Sequence, residues 1–172
     1  RRSDLRFPFP SNFETTLEGR KVESVDRRAK YLLIRLERGI TWLCHLGMSG
    51  RWTLIGDGVV GRPGKFASGA PLGSGDGPHD WVVIHLDSGT KAVYSDHRRF
   101  GFMDCFKTSE QESNKLLSDL GPEPTPDHLV PQHLADGLRD RKTPIKSALL
   151  DQRIVAGLGN IYVCEILHRA GV

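Results

Sequence analysis

The stretch Tyr31-Leu32-Leu33-Ile34-Arg35-Leu36, followed after Gly39 by Ile40-Thr41-Trp42-Leu43, decides the fold class of this chain. Both runs are short, apolar and rich in β-branched or aromatic residues, and a glycine separates them, which is typical of neighbouring β-strands. Similar runs lie on both sides, at Val22–Val25, Trp52–Ile55, Trp81–Leu86 and Lys91–Tyr94. Short strands at this spacing predict an antiparallel sandwich or barrel from Lys21 to Phe106.

One stretch interrupts the strand pattern. From Gly56 to His79 the chain is rich in Gly, Pro and Ser, with little β-branched or aromatic content after Val60. This composition predicts a long, mobile surface loop between strands.

After Thr108 the apolar residues take a helical period. Helices are predicted over Ser109–Leu120, which Gly121 and Pro122 end, and over Pro131–Leu138 and Pro144–Gln152. A glycine-containing turn then leads to a last helix with Asn160 as its expected N-cap. We therefore expect an α+β chain, with a β-sandwich lobe over residues 1–107 and an α-helical lobe over residues 108–172.

Composition limits the class of protein. With 172 residues, 38% hydrophobic and 26% charged, the chain is typical of a globular protein. It has no signal-peptide pattern at its start and no apolar run near the ~18 residues that span a bilayer. Three scattered cysteines, Cys44, Cys105 and Cys164, favour a reducing compartment. A net charge of +3 is compatible with nucleic acid.

The turn before the last helix is a candidate anion site. Helix N-termini present unpaired N–H groups to phosphates, and Arg141 and Lys146 upstream add positive charge to this region. In the simpler alternative, Gly157 and Gly159 only close a turn and Asn160 only caps a helix.

Lys30 is a candidate acid–base group. Strand alternation from Arg27 onwards places Arg28, Lys30 and Leu32 on one face, where like charge and partial burial lower a lysine pKa and suit it to proton transfer. The alternative is a solvated basic edge that discourages sheet aggregation.

Two predicted loop tips combine apolar and basic residues. His45–Gly50 carries Met48 between glycines, and Ser95–Gly101 carries Arg98 and Phe100. Apolar wedges beside arginines are what DNA-kinking proteins insert into an opened base step. The residues alone leave equally open a core role for Met48 and Phe100, with Arg98 in a surface ion pair.

Five motifs in order carry a resemblance to a known family. They are Arg28-Ala29-Lys30-Tyr31-Leu32, His45-Leu46-Gly47-Met48-Ser49-Gly50, Asp96-His97-Arg98-Arg99-Phe100-Gly101, Leu120-Gly121-Pro122-Glu123-Pro124 and Gly157-Leu158-Gly159-Asn160-Ile161-Tyr162. Together they resemble formamidopyrimidine-DNA glycosylase, which removes 8-oxoguanine and ring-opened purines, from about Gly19 to Val172. The resemblance implies a bifunctional glycosylase and AP lyase of base-excision repair, acting by base flipping and Schiff-base β,δ-elimination.

The same resemblance assigns roles to single residues. Lys30 matches the proton donor in β-elimination, and Met48, Arg98 and Phe100 match the residues that fill the space left by the flipped nucleotide. Arg98 then faces the orphaned base. The matched DNA contacts are His79 at the end of the variable loop and, in a helix–two-turn–helix lobe, Arg141, Lys146 and Asn160.

The sequence also departs from the family pattern. The family begins with Pro-Glu, whose proline amine attacks the sugar, and ends with a four-cysteine zinc finger. This sequence opens Arg1-Arg2 and ends at Val172 in a helical pattern, so we expect a segment of a longer protein, without a metal site, that alone cannot excise bases. Zinc is expected only in the parent's finger.

The resemblance implies monomeric binding to duplex DNA with oxidised purines or abasic sites, in a bacterial cytoplasm at the nucleoid. A non-catalytic damaged-DNA-binding module is an alternative function. An endonuclease VIII-type glycosylase is another, which the Met48 and Arg98/Phe100 motifs disfavour.

Overall fold

The computed structural model describes residues 4–56, 59–60 and 73–172, and for residues 59–60 only the backbone. Most of the predicted loop Gly56–His79 lies outside the described residues, so its mobility stays a prediction. Its part at Val59–Val60 forms a short strand, which the loop prediction did not include. Within the described ranges, no helix has the length and apolar character needed to span a membrane.

In the described part of the chain, the β lobe consists of two four-stranded antiparallel sheets. The first has the strand order β1-β2-β3-β8 and the second β5-β4-β7-β6. The strands are β1 (Val22–Arg28), β2 (Tyr31–Leu36), β3 (Ile40–His45), β4 (Arg51–Gly56), β5 (Val59–Val60), β6 (Asp80–His85), β7 (Lys91–Ser95) and β8 (Phe102–Lys107). The predicted antiparallel sandwich is confirmed, and β8, not singled out from the sequence, completes the first sheet beside β3.

The two central strands of the first sheet, β2 and β3, are buried on both faces, whereas the edge strand β1 is exposed. Ile34 and Trp42 point into the cluster that contains Tyr94 of the second sheet. Leu33 and Leu43 point the other way and pack against Leu117, which follows the β lobe. Burial on both faces explains why β2 and β3 are nearly continuous apolar runs rather than strict alternations.

The predicted helix Ser109–Leu120 is wrong. The structure has a 3-10 helix at Thr108–Glu110, followed by turns. Asn114 explains the difference, because its side-chain oxygen accepts the N–H of Leu116 at 2.9 Å and so competes with a helical hydrogen-bond pattern. The irregular segment also lets Leu117 reach the outer face of the first sheet.

The three later helices are confirmed with adjusted ends. They are α2 (Pro131–Leu138), α3 (Ile145–Leu149) and α4 (Asn160–Ala170). A short helix near the start, α1 (Phe13–Leu17), was not predicted. The α lobe, which contains α2, α3 and α4, has its own apolar cluster, formed by Ala148, Leu149, Ile154, Val155, Leu158 and Val163.

The expected N-cap at Asn160 is wrong by one residue. Gly159, with extended backbone angles, is the N-cap of α4, and Asn160 is the first helical residue. The helix ends at Gly171, whose φ of +71° is a left-handed conformation that glycine adopts without strain.

Candidate nucleic-acid interface

Lys30 lies at the tip of the first hairpin and not on a strand face as predicted. Arg28 pairs with Tyr31, so Ala29 and Lys30 form the turn between β1 and β2. Ala29 has a φ of +52° and is buried. A turn between two continuous strands is not visible in a run without Gly, Asn or Pro, which explains why alternation was carried through it.

The hairpin tip docks on the α lobe through Glu123. The Ala29 N–H donates to Oε1 of Glu123 at 2.6 Å, and Arg27 and Arg28 each pair with the carboxylate at 2.8 Å. Burial tends to raise the pKa of Glu123, but the hydrogen bonds from Ala29, Arg28 and Arg27 outweigh it and hold the pKa below its ordinary value. A charged Glu123 therefore joins the two lobes.

Lys30 contacts the turn that precedes α4. Its Nζ donates to the carbonyl oxygen of Leu158 at 2.9 Å, and partial burial lowers its pKa. Leu158 is two residues before Asn160, so the structure brings Lys30 and the N-terminal end of α4 together. These two sites come from different lobes, 128 residues apart in sequence.

His45, at the end of β3, is a neighbour of Lys30 that sequence reasoning missed. Its ring stacks on Phe102 at 5.1 Å, and its Nδ1 accepts the Gly47 N–H at 3.1 Å. Burial lowers the His45 pKa, and the positive charges of Lys30 and Arg6 lower it further. These effects favour the neutral ring, and because Nδ1 accepts a hydrogen bond, the proton of that ring lies on Nε2, where it can be donated. The signal was present, since His45 opens the motif singled out for Met48.

The two loop tips pack against each other. A Cβ on Gly47 would lie 2.5 Å from the Phe100 carbonyl carbon and from the Gly101 nitrogen, so only glycine allows this approach. The Ser49 hydroxyl also accepts the Arg98 N–H at 3.2 Å. The residues predicted to act as one wedge thus stand on two loops in direct contact.

The buried carboxylate of Asp96 connects the two loops, His45–Gly50 and Ser95–Gly101, through hydrogen bonds. This carboxylate is fully buried and accepts hydrogen bonds from the Ser49 hydroxyl, the Gly101 N–H at 2.8 Å, the Arg98 N–H at 3.3 Å and the Tyr94 hydroxyl at 3.3 Å. Donors from both loops and from β7 converge on one group, which fixes the relative position of the tips.

Met48 and Phe100 project from these tips instead of entering the core. Met48 is 72% exposed and Phe100 43% exposed, which contradicts the alternative that they are core residues. The Arg98 guanidinium lies 4.6 Å from the centre of the Phe100 ring, in a cation–π contact. Two apolar side chains and one cation are therefore presented together to solvent.

His79 lies beside this surface. It is exposed, its carbonyl accepts the Asp96 N–H at 3.0 Å, and its ring lies 6.2 Å from that of His97. His79 therefore lies beside His97, the residue that precedes Arg98 in the sequence.

The other predicted contacts lie on the α lobe. Lys146 is exposed on α3 and Asn160 on the first turn of α4. Arg141 donates through Nε to the Gly137 carbonyl at 2.7 Å and lies 3.5 Å from the Asp151 carboxylate, which compensates part of its charge.

The described residues hold no group of three or more His, Cys, Asp or Glu side chains arranged to bind a metal ion. The three cysteines are free thiols, and burial raises the pKa of both Cys44 and Cys105 to about 12.

Comparison with known proteins adds two matched domains. The model of the formamidopyrimidine-DNA glycosylase N-terminal domain matches residues 1–103, and that of the formamidopyrimidine-DNA glycosylase H2TH domain matches residues 120–172. Curated relatives include the formamidopyrimidine-DNA glycosylases of Ruegeria sp. (strain TM1040) and Gluconobacter oxydans (strain 621H). Each is 50% identical over 171 residues, which is 99% of this chain and 58% or 57% of the relative. The chain thus spans less than two thirds of the length of these relatives.

Similar solved structures hold DNA. A complex of the Lactococcus lactis Fpg with abasic-site DNA has a TM-score of 0.73 and 30% identity, covering 90% of this chain and 52% of that one. A complex of the same enzyme with N7-benzyl-Fapy-dG DNA gives a TM-score of 0.73 and 30% identity, covering 90% of this chain and 53% of that one. The fold, the two matched domains and these relatives together show that the chain belongs to the formamidopyrimidine-DNA glycosylase family.

Proposed function

We propose that this chain recognises damaged duplex DNA as part of a base-excision repair enzyme, a bifunctional glycosylase and AP lyase that removes 8-oxoguanine and formamidopyrimidines. The observation that carries the proposal is the exposed group formed by Met48, Arg98 and Phe100 on two loops that share the buried Asp96. Named relatives and DNA-bound structural neighbours of the same family support it.

The exposed group acts as a wedge in this proposal. Extruding a nucleotide costs a few kcal/mol of unstacking and unpairing, which inserted side chains must offset. Met48 and Phe100 gain by leaving water for the base stack, and Arg98 offers hydrogen-bond donors to the orphaned base. The shared anchor at Asp96 limits the entropy lost when the wedge is inserted.

Lys30 serves the elimination step. In β-elimination at an abasic sugar, a base removes a proton from C2′, a C2′=C3′ double bond forms, and the C3′–O bond breaks with its electron pair leaving on the phosphate. The Lys30 ammonium is the proposed proton donor in this sequence, and its lowered pKa makes it a stronger acid than an ordinary lysine.

The remaining candidates hold the DNA backbone. The proposed backbone contacts are His79, which lies beside His97, and, on the α lobe, Arg141, Lys146 and Asn160. The N-terminal end of α4 adds N–H groups and a favourable dipole for an anion.

We propose the glycosylase and lyase chemistry for a whole protein that contains this chain, because the chain spans only 58% or 57% of the length of its curated relatives. In such a whole protein, Lys30 is proposed to support elimination at abasic sites, and a four-cysteine finger is proposed to hold zinc. A monomer in the bacterial cytoplasm, bound to nucleoid DNA, completes the proposal.

Binding measurements test the proposal. The dissociation constant is measured by fluorescence anisotropy for two duplexes of one sequence, undamaged and with a tetrahydrofuran abasic site. We expect at least about tenfold tighter binding to the abasic duplex, equal to about 1.4 kcal/mol. Equal dissociation constants would contradict damage recognition. Borohydride trapping of a covalent adduct on abasic DNA separates a lyase from the alternative, a module that only binds.

A further inference from the structure

The side chain of Gln152 spans the turn that leads to α4. Its Nε2 donates to the carbonyl of Leu150 at 2.9 Å and to that of Leu158 at 3.0 Å, while its Oε1 accepts the Gly157 N–H at 2.9 Å. Both N–H donors of one primary amide and its oxygen are therefore engaged by the turn backbone.

The Leu158 carbonyl is shared by Gln152 and Lys30. The same oxygen accepts the Gln152 amide at 3.0 Å and the Lys30 ammonium at 2.9 Å. A carbonyl oxygen has two lone pairs and can accept both donors. Gln152 thus contacts the acceptor that holds Lys30 without being assigned any role in the proposed function.

We propose that Gln152 is a positioning residue for Lys30, because it fixes the direction of the Leu158 carbonyl that receives the Lys30 ammonium. The inference rests on the proposed function, in which that ammonium gives a proton during strand cleavage. Through the Leu158 carbonyl, Gln152 of the α lobe therefore influences where the Lys30 ammonium of the β lobe lies.

The turn has supports other than this side chain. The Ala156 N–H donates to the Pro122 carbonyl at 2.9 Å, and the ring of His133 hydrogen-bonds to the Ile154 carbonyl at 2.9 Å. Val155 and Ala156 are fully buried. Loss of the Gln152 amide should therefore alter the Leu158 carbonyl locally while the turn stays folded.

The test measures the pKa of Lys30 by NMR in free protein labelled with 13C and 15N at lysine. Gln152→Met removes the hydrogen bonds with little change of shape, and it should lower the Lys30 pKa because the charged form loses a fixed acceptor. Gln152→Glu should raise the Lys30 pKa by about one unit or more, since a carboxylate would stand beside the ammonium. Neither change alters the charged and titratable groups around this tip, which include His45, Arg6, Arg27, Arg28 and Glu123.

Matched controls are Gln132→Met and Gln132→Glu. Gln132 is exposed on α2, where its amide pairs with Asp136. We expect both controls to leave the Lys30 pKa unchanged. If the Gln152 variants also leave it unchanged, or move it no more than the controls do, Gln152 only stabilises the turn and the inference is overturned.

The titration uses no DNA, so its outcome is separate from that of the proposed function. The rate of β-elimination at an abasic duplex is then measured against pH for the wild type and the Gln152 variants. A profile that moves with the Lys30 pKa supports the whole inference. If the pKa moves but Lys30→Ala leaves elimination unchanged, the catalytic role of Lys30 fails, whereas positioning of the ammonium by Gln152 is supported.

Discussion

The backbone N–H of Ala29 donates a 2.6 Å hydrogen bond to Oε1 of Glu123, which ties the tip of the first β-hairpin to the helical lobe. The same carboxylate pairs with Arg27 and Arg28, and its side chain is only 13% exposed. Lys30 follows Ala29 directly. Glu123 therefore also positions the proposed proton donor, Lys30, against the turn that precedes α4.

Glu123→Gln should lower the free energy of unfolding by about 1–3 kcal/mol, because two guanidinium groups lose their charged acceptor in a mostly buried place. Urea unfolding monitored by tryptophan fluorescence measures the change. Glu110→Gln is the matched control, since Glu110 and Lys107 form an exposed pair at 4.0 Å, worth less than about 1 kcal/mol. If both variants lose the same free energy of unfolding, Glu123 does not stabilise the contact between the two lobes.

The depressed pKa of Glu123 predicts a dependence of stability on pH. A carboxyl whose folded pKa lies below its ordinary value of 4.5 contributes its full stability above that value. The contribution is lost as the pH falls through the folded pKa, because the proton then binds to the folded state as well. We expect the free energy of unfolding of the wild type to fall below about pH 4.5, and that of Glu123→Gln to fall less steeply. Parallel curves from pH 7 to pH 3 would show that Glu123 does not carry this dependence.

Lys146→Ala tests the proposed phosphate contact on α3. The variant should bind every duplex more weakly, whatever its sequence, and the slope of log K against log salt should fall by about one unit. Lys107→Ala removes another exposed lysine, at the end of β8, and should leave the slope unchanged. An unchanged slope in Lys146→Ala would place Lys146 away from the DNA.

Gly159→Ala tests whether Gly159 is required for folding or for the approach of a DNA phosphate. A Cβ at Gly159 meets nothing within 4 Å, and the residue has a φ of −121°, which alanine adopts without strain. The melting temperature should therefore change little. If a phosphate approaches the N-terminal end of α4 there, the added methyl group should weaken binding to all duplexes. Unaltered affinity would mean that the phosphate does not approach Gly159.

Strands β1–β4, β6 and β7 were predictable from local sequence because short apolar runs separated by turn residues specify them, whereas β5 and β8 were not predicted. The failures lie where distant contacts decide. Ser109–Leu120 has a helical period, yet Asn114 and the packing of Leu117 on the first sheet prevent a helix. The place of Lys30 in a turn depends on the docking of Ala29 on Glu123, which is 94 residues away.

Some features of the candidate site were also predictable from local sequence, whereas others depend on contacts between distant residues. The loop tips that carry Met48 and Phe100 were predictable, because Gly47 and Gly50 flank Met48 and Gly101 follows Phe100. The convergence of these tips on Asp96, and the contact of Lys30 with Leu158, were not, since no local pattern encodes which loops meet.

The most direct test of the wedge is the ratio of dissociation constants for undamaged and abasic duplexes, measured for the wild type and Phe100→Ala, with the melting temperature of each. Phe13→Ala serves as the matched core control, because Phe13 is 7% exposed and its truncation should cost ~3–5 kcal/mol of stability. We predict that Phe100→Ala lowers the ratio markedly and leaves the melting temperature nearly unchanged. An unchanged ratio, together with a loss of stability like that of Phe13→Ala, would contradict the assignment of Phe100 as a wedge.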